Sequence, residues 1–326
     1  MWKTLCYEVS GSLKEDNSLP CQDKTIATNI DEVNVICLSS GDVSSKVSHF
    51  GADLITKISS EYFSKNFDTL HALETQDLNL KLYTFLHENV TKHATSMNVN
   101  FTDLAATMCI VAVKGDKYIS CSLGDSVVCC FKEKKIRVML SNTNVDLAAK
   151  FVTSENALGA IKTEVGILKG INGFAMVSAA TAKCLHFKYP DSFSMIMSEL
   201  IKTTGAISEA EMFEHITKVC ETFVVHKNDK NCSVAIMSAP KCASRYHALS
   251  NLEKLVFLKL STHDENSLPR VKDLDNILYI IDDGKSVTQL TEILKISETN
   301  VKKKLEILVK NNILSLNSSD VYKKIN

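Results

Sequence analysis

Long apolar runs, paired cysteines and a charge excess of either sign are all lacking from this sequence, and each absence narrows what the chain can be. No run approaches the ~18 consecutive apolar residues of a membrane-spanning helix. The eleven cysteines are odd in number and scattered, with no C-x-x-C pair, so neither a disulfide framework nor a cysteine metal site is expected, and a reducing cytoplasm is the expected setting. Cys109, Cys121, Cys129, Cys130 and Cys232 instead lie in apolar, strand-like runs, where cysteine acts as a small hydrophobe. The opening Met1-Trp2-Lys3-Thr4-Leu5-Cys6 has no extended apolar core and no small-residue cleavage site, so no signal peptide is expected. With 37 basic and 38 acidic residues the formal net charge is −1, so any basic patch must be local. HExxH is absent, the nine histidines form no cluster, and His87 and His93 stand ~240° apart around a helix. No internal repeat or low-complexity tract is present.

At 326 residues the chain exceeds what one compact core usually holds, so one large domain plus a small one is expected. Apolar residues at 45% and charged residues at 23% are ordinary for a globular protein. Thr4 to Ser10 and Asp23 to Ile30 read as strands. Val35-Ile36-Cys37-Leu38 is an apolar run that stops at Ser39-Ser40-Gly41-Asp42, and a helix follows with Ala52, Ile55, Ser59 and Tyr62 on one stripe. A second helix is predicted from Leu78 to about Ser96, with Asp77 as its N-cap. Strands are predicted over Met108–Val113, Tyr118–Leu123, Ser126–Phe131, Ile136–Leu140 and Gly173–Ser178. Helices follow over Pro190 to about Thr203 and Glu209 to about Val225, then a strand, Cys232–Met237. The strand runs are apolar on both parities, which implies sheets covered on both faces.

Beyond Pro240 the texture changes. Leu252–Leu260 reads as a connecting helix, and His263 to Pro269 as a polar linker. Leu274–Ile281 is helical and ends at Asp282-Asp283-Gly284, Val287–Leu294 is a short helix, and Ser297 caps a third helix. Asn311-Asn312 then turns the chain into the strand Ile313–Leu316. Three helices with a tight turn before the third, then a strand, describe a winged helix-turn-helix. The boundaries drawn are 1–242, a connecting helix and linker over 243–269, and 270–326.

Several pieces of the first part resemble the metal-dependent serine/threonine phosphatases of type 2C, specifically their bacterial branch. They are Pro20-Cys21-Gln22-Asp23, the turn from Ser44 to Ala52, Val113-Lys114-Gly115-Asp116-Lys117-Tyr118 with Leu123-Gly124-Asp125-Ser126, Gly173-Phe174-Ala175-Met176-Val177-Ser178, and Cys232-Ser233-Val234-Ala235-Ile236-Met237. They occur in the family's order. The resemblance implies an α+β fold: a four-layer α-β-β-α sandwich of two antiparallel sheets flanked by helical pairs. It also implies carboxylates that hold two divalent cations, Mg²⁺ or Mn²⁺, and a bridging water that attacks phosphorus. Matched residue by residue, Asp23 stands at the family's first acidic position. The other three metal carboxylates fall on Ser40, Ala179 and Asn231, and Lys14 stands where bacterial members often carry a histidine. Asp42 and Asp229 each lie two residues from an expected ligand and are the available substitutes, whereas Ala179 has none nearby.

The resemblance with these departures implies a pseudophosphatase, a cytoplasmic regulatory or scaffold protein with no catalytic residue and no cofactor. Its expected partner is a protein, with DNA a further candidate. A divergent metal-dependent phosphatase and a ligand-sensing transcription regulator are the alternatives. Ser39, Ser40, Ser44 and Ser45 admit two readings, a hydroxyl-lined pocket for a small anion or solvated turn residues. Asp125 reads as a turn residue. In the third helix of the last domain, burial of Val301, Leu305 and Leu308 turns Thr299, Lys303, Glu306 and Lys310 outward with Lys302 on the flank. Thr299, Asn300, Lys302, Lys303 and Lys310 are therefore the candidate nucleic-acid contacts, with Glu306 opposing phosphate. From Arg245 onward there are 13 basic and 11 acidic residues, which leaves DNA contact and protein docking both open.

Overall fold

The structure, a computed structural model, describes residues 2–11, 20–132, 135–141, 150–185, 195–204, 209–223, 230–239, 246, 249, 251–260, 264, 266–281, 284–311, 313–317 and 320–324. It divides into two compact units, Met1–Ala239 and Pro240–Asn326.

The first unit runs β1 (Lys3–Val9), β2 (Asp23–Ile30), β3 (Val33–Ser40), α1 (Ser48–His71), α2 (Thr75–Met97), β4 (Met108–Lys114), β5 (Lys117–Leu123), β6 (Val127–Lys132) and β7 (Lys135–Leu140). It continues through α3 (Ala157–Ala160), β8 (Lys162–Ile167), β9 (Ile171–Val177), α4 (Ala179–Leu185), α5 (Met195–Thr204), α6 (Glu209–Phe223) and β10 (Cys232–Ser238). The strands form two five-stranded antiparallel sheets, ordered β1-β10-β9-β6-β7 and β2-β3-β4-β5-β8.

Alternation of side chains along each strand builds the layers. On β3, Val33, Val35 and Cys37 join the core beneath α1 and α2. Ile36 and Leu38 point the other way, into a core shared with Val128, Cys130, Phe174, Met176, Ala235 and Met237 of the second sheet. The outer face of that second sheet, with Cys129, Ala175, Val177, Val234 and Ile236, packs on residues of α4, α5 and α6. Three cores separate four layers, an α-β-β-α sandwich. The neighbours Cys129 and Cys130 enter different cores, as a strand's two-residue period requires.

Besides the short helices α3 and α4, which were not foreseen, two elements differ from the sequence expectation. The second helix begins three residues before Leu78, at Thr75, with Glu74 at the N-cap and Asp77 inside the first turn. Asp77 is thus not the cap; a carboxylate in the first turn favours the helix dipole equally well. Strand β8 was not foreseen, because Lys162-Thr163-Glu164-Val165-Gly166-Ile167 is an edge strand, half-buried from Thr163 to Gly166, with no apolar run to mark it. Residues 186–194 and 224–229, which include the expected helix start at Pro190 and the expected helix end at Val225, lie outside the described residues.

The second unit contains α7 (Asn251–Phe257), α8 (Ser267–Ile280), β11 (Lys285–Ser286), α9 (Val287–Leu294), α10 (Glu298–Lys310), β12 (Leu314–Leu316) and β13 (Val321–Lys324). The three strands form an antiparallel sheet ordered β11-β13-β12. The expected linker ends early: Ser267, Leu268 and Pro269 form the first turn of α8, where proline's missing N–H has no intrahelical partner to lose. Ser286 and Ser297 cap α9 and α10 through their side chains. Val301, Leu305 and Leu308 are fully buried. Lys254 of α7 reaches Asp275 of α8 at 2.7 Å and lies over the Tyr246 ring; burial, aided by the Asp275 charge, pushes the Tyr246 phenol up. Among the described residues no helix is long and apolar enough to cross a membrane. Asp282, Asp283 and Asn312 lie outside the described residues.

Gly51 fixes how closely α1 approaches the 3₁₀ turn Phe101–Leu104, since a Cβ there would overlap the Leu104 carbonyl. Alanine favours a helix interior by ~1 kcal/mol over glycine, but overpacking costs ~1–3 kcal/mol, and a backbone carbonyl cannot turn aside. Gly51→Ala is therefore expected to lower stability by up to about 2 kcal/mol, the difference of these terms at the upper end of the overpacking cost, in urea unfolding.

Candidate functional site

The ends of the two sheets meet at one cavity. Antiparallel register sets Asp23, the first residue of β2, opposite Ser40, the last of β3. From the other sheet, Ser233 of β10 donates its hydroxyl to Asp23 Oδ2 at 2.7 Å. The Ser233 amide is held in turn by the Ser178 and Thr181 hydroxyls. The cavity, about 350 Å³ in volume, is lined by Asp23, Ser40, Asp42, Asp125, Lys150, Ser178, Ala179, Lys183, Lys230 and Asn231, with Val43 and Phe151 as its larger apolar members.

The loop that leads from β3 into α1 is organised by Gln22. Its carbonyl accepts from the Gly41 amide at 3.0 Å, and its side-chain amide donates to the Asp42 and Ser45 carbonyls. Both Asp42 carboxylate oxygens accept from Ser44, one from the amide at 3.0 Å and one from the hydroxyl at 2.8 Å. The hydroxyl-lined alternative for the serines does not hold. Ser39 donates to the Thr107 carbonyl, Ser45 to the Asp103 carbonyl, and Ser44 to Asp42. Of the four, only Ser40 lines the cavity. Backbone groups of a tight turn compete for short hydroxyl side chains, and here they win.

Asp125 sits after Gly124, whose φ of +113° belongs to a region side chains avoid and whose missing Cβ leaves room for Thr107. Asp125 is more than a turn residue: it lines the cavity and pairs with Lys150 at 2.8 Å. Asn231 Oδ1 accepts from the Gly11 amide at 3.3 Å. The structure thus brings Asp23, Ser40, Asp42, Ala179 and Asn231 around one cavity. Asp229 and Lys14 lie outside the described residues. Lys150, Lys183 and Lys230 were not foreseen, because they come from three separate stretches of the chain and none belongs to a local motif.

Burial pushes the Asp23 carboxyl above its ordinary range. The hydroxyls of Ser233, Ser40 and Ser178 pull it back, and the Asp125 charge adds to the rise. Among the described residues, no group of three or more His, Cys, Asp and Glu side chains stands in a metal-holding cluster.

On the second unit, Thr299, Asn300, Lys302, Lys303, Glu306 and Lys310 are all exposed. Lys302 pairs with Glu298 at 2.7 Å, and Lys304 pairs with Asp273.

Residues 10–218, more than half of the chain, match the protein phosphatase 2C family. A bacterial serine phosphatase of known structure is similar at 10% identity and a TM-score of 0.53, over 74% of this chain and 100% of that one. The serine/threonine phosphatase Stp1 from Staphylococcus aureus is similar at 9% identity and a TM-score of 0.52, over 74% and 96%. At such identities the likeness is one of fold. No curated protein matches the chain.

A folded-state carboxyl raised above its unfolded value adds stability below the unfolded value, and that stability is lost as pH climbs through the folded one. Ionised Asp23 thus weakens the fold at neutral pH. Asp23→Asn keeps an acceptor for Ser233 and removes the charge. In EDTA it is expected to melt above wild type at neutral pH, with the gap closing below pH ~4, as thermal scans across pH would read.

Proposed function

The chain belongs to the protein phosphatase 2C family, and from that premise we propose that it is a pseudophosphatase, a regulatory or scaffold protein that holds a partner instead of turning over a phosphoester. The observation that carries this reading is the donor set at the cavity. Two divalent cations bring four positive charges and require several anionic oxygens in a near-octahedral arrangement. Asp23 stands at the first acidic position, while Ser40, Ala179 and Asn231 supply no anionic oxygen at the other three. Asp42 is turned onto Ser44 and Asp125 onto Lys150. Three ammonium groups line the same small volume. These residues do not fit a Mg²⁺ or Mn²⁺ pair.

The divergent-phosphatase reading has its own support, because Asp23, Asp42 and Asp125 all line the one cavity. Turnover separates the two. With p-nitrophenyl phosphate and a phosphopeptide in excess Mn²⁺ the expected result is no hydrolysis, and calorimetry with Mn²⁺ is expected to give no binding heat. Hydrolysis that needs Mn²⁺ and disappears in Asp23→Ala would establish the enzyme instead.

For the second unit the reading is a winged helix that docks a protein partner, DNA or both, in a cytoplasmic protein. Its support is the succession of three helices and a three-stranded antiparallel sheet, with exposed Thr299, Asn300 and Lys303 in the first half of α10. A transcription regulator whose first unit senses a ligand would share this geometry. Should DNA be the partner, Lys303→Ala is expected to weaken gel shifts of all fragments alike and to lower the salt slope by about one. A shift that ignores this variant would place the contact elsewhere.

A further inference from the structure

Lys150 meets Asp125 at 2.8 Å, and both side chains line the cavity at the sheet ends. That separation belongs to a charge-assisted hydrogen bond. The pair is sheltered, with side chains 23% and 33% exposed. The ammonium also lies 5.3 Å from the centre of the Phe151 ring, within the range at which a ring face attracts a cation. The backbone holds Lys150 there from several sides. The Val152 amide donates to the Ala106 carbonyl at 3.0 Å, and the Phe151 amide to the Ser154 hydroxyl at 3.1 Å. A Cβ on Gly124 would stand 3.2 Å from the Lys150 carbonyl and overlap Thr107, so the glycine before Asp125 is what lets these segments meet. Thr107 in turn accepts from the Ser40 amide and from the Ser39 hydroxyl. The lysine, its carboxylate and the end of β3 thus share one set of contacts.

We propose that the Lys150 ammonium is the resident cation of this cavity: it supplies to Asp125 the positive charge that a divalent ion would otherwise bring, and it keeps such an ion out. The inference rests on the pseudophosphatase reading and gives it a cause. Asp125 adds to the rise of the Asp23 carboxyl, so a cation held on Asp125 also eases Asp23. Lysine suits the task, because its charge is compact and sits on a flexible stem. A dication entering the cavity would meet a like charge and would have to strip the ammonium from Asp125. That would leave Lys150 half-buried without its counter-ion, a costly state. Ser40, Ala179 and Asn231, which line the same cavity, offer no anionic oxygen in return. The arrangement of the sheet ends is thereby independent of divalent ions, and a partner that docks there meets the same surface at any concentration of them.

The test uses the full chain with Lys150→Gln, Lys150→Arg and Asp125→Asn, in thermal scans and in calorimetric titration with Mn²⁺. In EDTA, Lys150→Gln is expected to melt about 2–4 °C below wild type. The same change in an Asp125→Asn background should cost much less, as direct coupling requires. Millimolar Mn²⁺ is expected to leave the melting of wild type and of Lys150→Arg unchanged. Lys150→Gln, whose Asp125 no longer faces an ammonium, is expected to melt higher in Mn²⁺ than in EDTA. It should also give a binding heat that disappears when Asp125→Asn is added. Lys57→Gln, a control on α1 whose partner is Asp53, should remain indifferent to Mn²⁺. Circular dichroism checks folding, and Lys150→Met, which keeps an apolar stem beside Phe151, carries the same readings if Lys150→Gln is unfolded. Equal losses with and without Asp125, Mn²⁺ stabilisation of wild type as large as that of Lys150→Gln, or indifference of Lys150→Gln to Mn²⁺ would each overturn the proposal. Turnover by wild type would sink the pseudophosphatase reading instead. The coupling in EDTA is read without turnover, so the two failures are distinguishable.

Discussion

One hydrogen bond between residues 210 positions apart, from Ser233 to Asp23, joins the open ends of the two sheets. Elsewhere the sheets meet mainly by apolar contact, through Ile36, Leu38, Phe174, Met176 and their neighbours, which is non-directional, with Glu8 of β1 accepting from the Thr25 amide of β2 at 2.9 Å as a further polar link. The bond supplies direction at the one place where loops must converge. A hydrogen bond to an ionised group contributes ~1.5–3 kcal/mol net, but here burial raises the carboxyl and offsets part of that gain. Asp23 therefore aligns the fold more than it stabilises it. Ser178 and Thr181 extend the arrangement by holding the Ser233 amide.

The same geometry governs the charges. Gln22 draws the Gly41–Ser48 loop inward through four contacts, which leaves Asp42 beside Ser44 and turns its carboxylate to local donors. Gly124 lets the chain close on Thr107, which aims Asp125 at Lys150. Each acidic side chain is thereby compensated within a few ångströms, at 2.7 to 3.0 Å from its donor. Asp42 and Asp125, compensated in this way at a partly open cavity, cost less to keep ionised than buried Asp23.

How much of this was legible in the sequence follows from which signals are local. The strands of the two central sheet regions announce themselves by continuous apolar runs, because both faces are covered. The edge strand β8 is only half-buried and mixes Lys162 and Glu164 with Val165, so it gives no such signal. The cavity's floor was legible through Asp23 and Ser40, since both lie within recognisable segments at strand ends. Its cations were not: Lys150, Lys183 and Lys230 are single lysines among many, and only the closing of the sandwich assembles them. Of the two readings open for the serines around the turn that ends β3, the turn reading fits Ser39, Ser44 and Ser45, which bond to the turn and its neighbours.

The second unit obeys the same accounting of internal partners. In the run Lys302-Lys303-Lys304, the first pairs with Glu298 and the third with Asp273, while Lys254 is buried against Asp275. Internal pairing lowers the charge that the face can offer to an outside anion, and Glu306 on the same face lowers it further. Counterion release scales with the number of phosphates neutralised, so α10 alone is a weak electrostatic footprint. Affinity for nucleic acid would require lysines of the small sheet, such as exposed Lys323, to reach the backbone beside it. A protein partner needs no such sum, because Thr299, Asn300 and Lys303 can be matched by hydrogen bonds and one carboxylate. The charge pattern of this helix thus favours recognition by a few directed contacts over recognition by field.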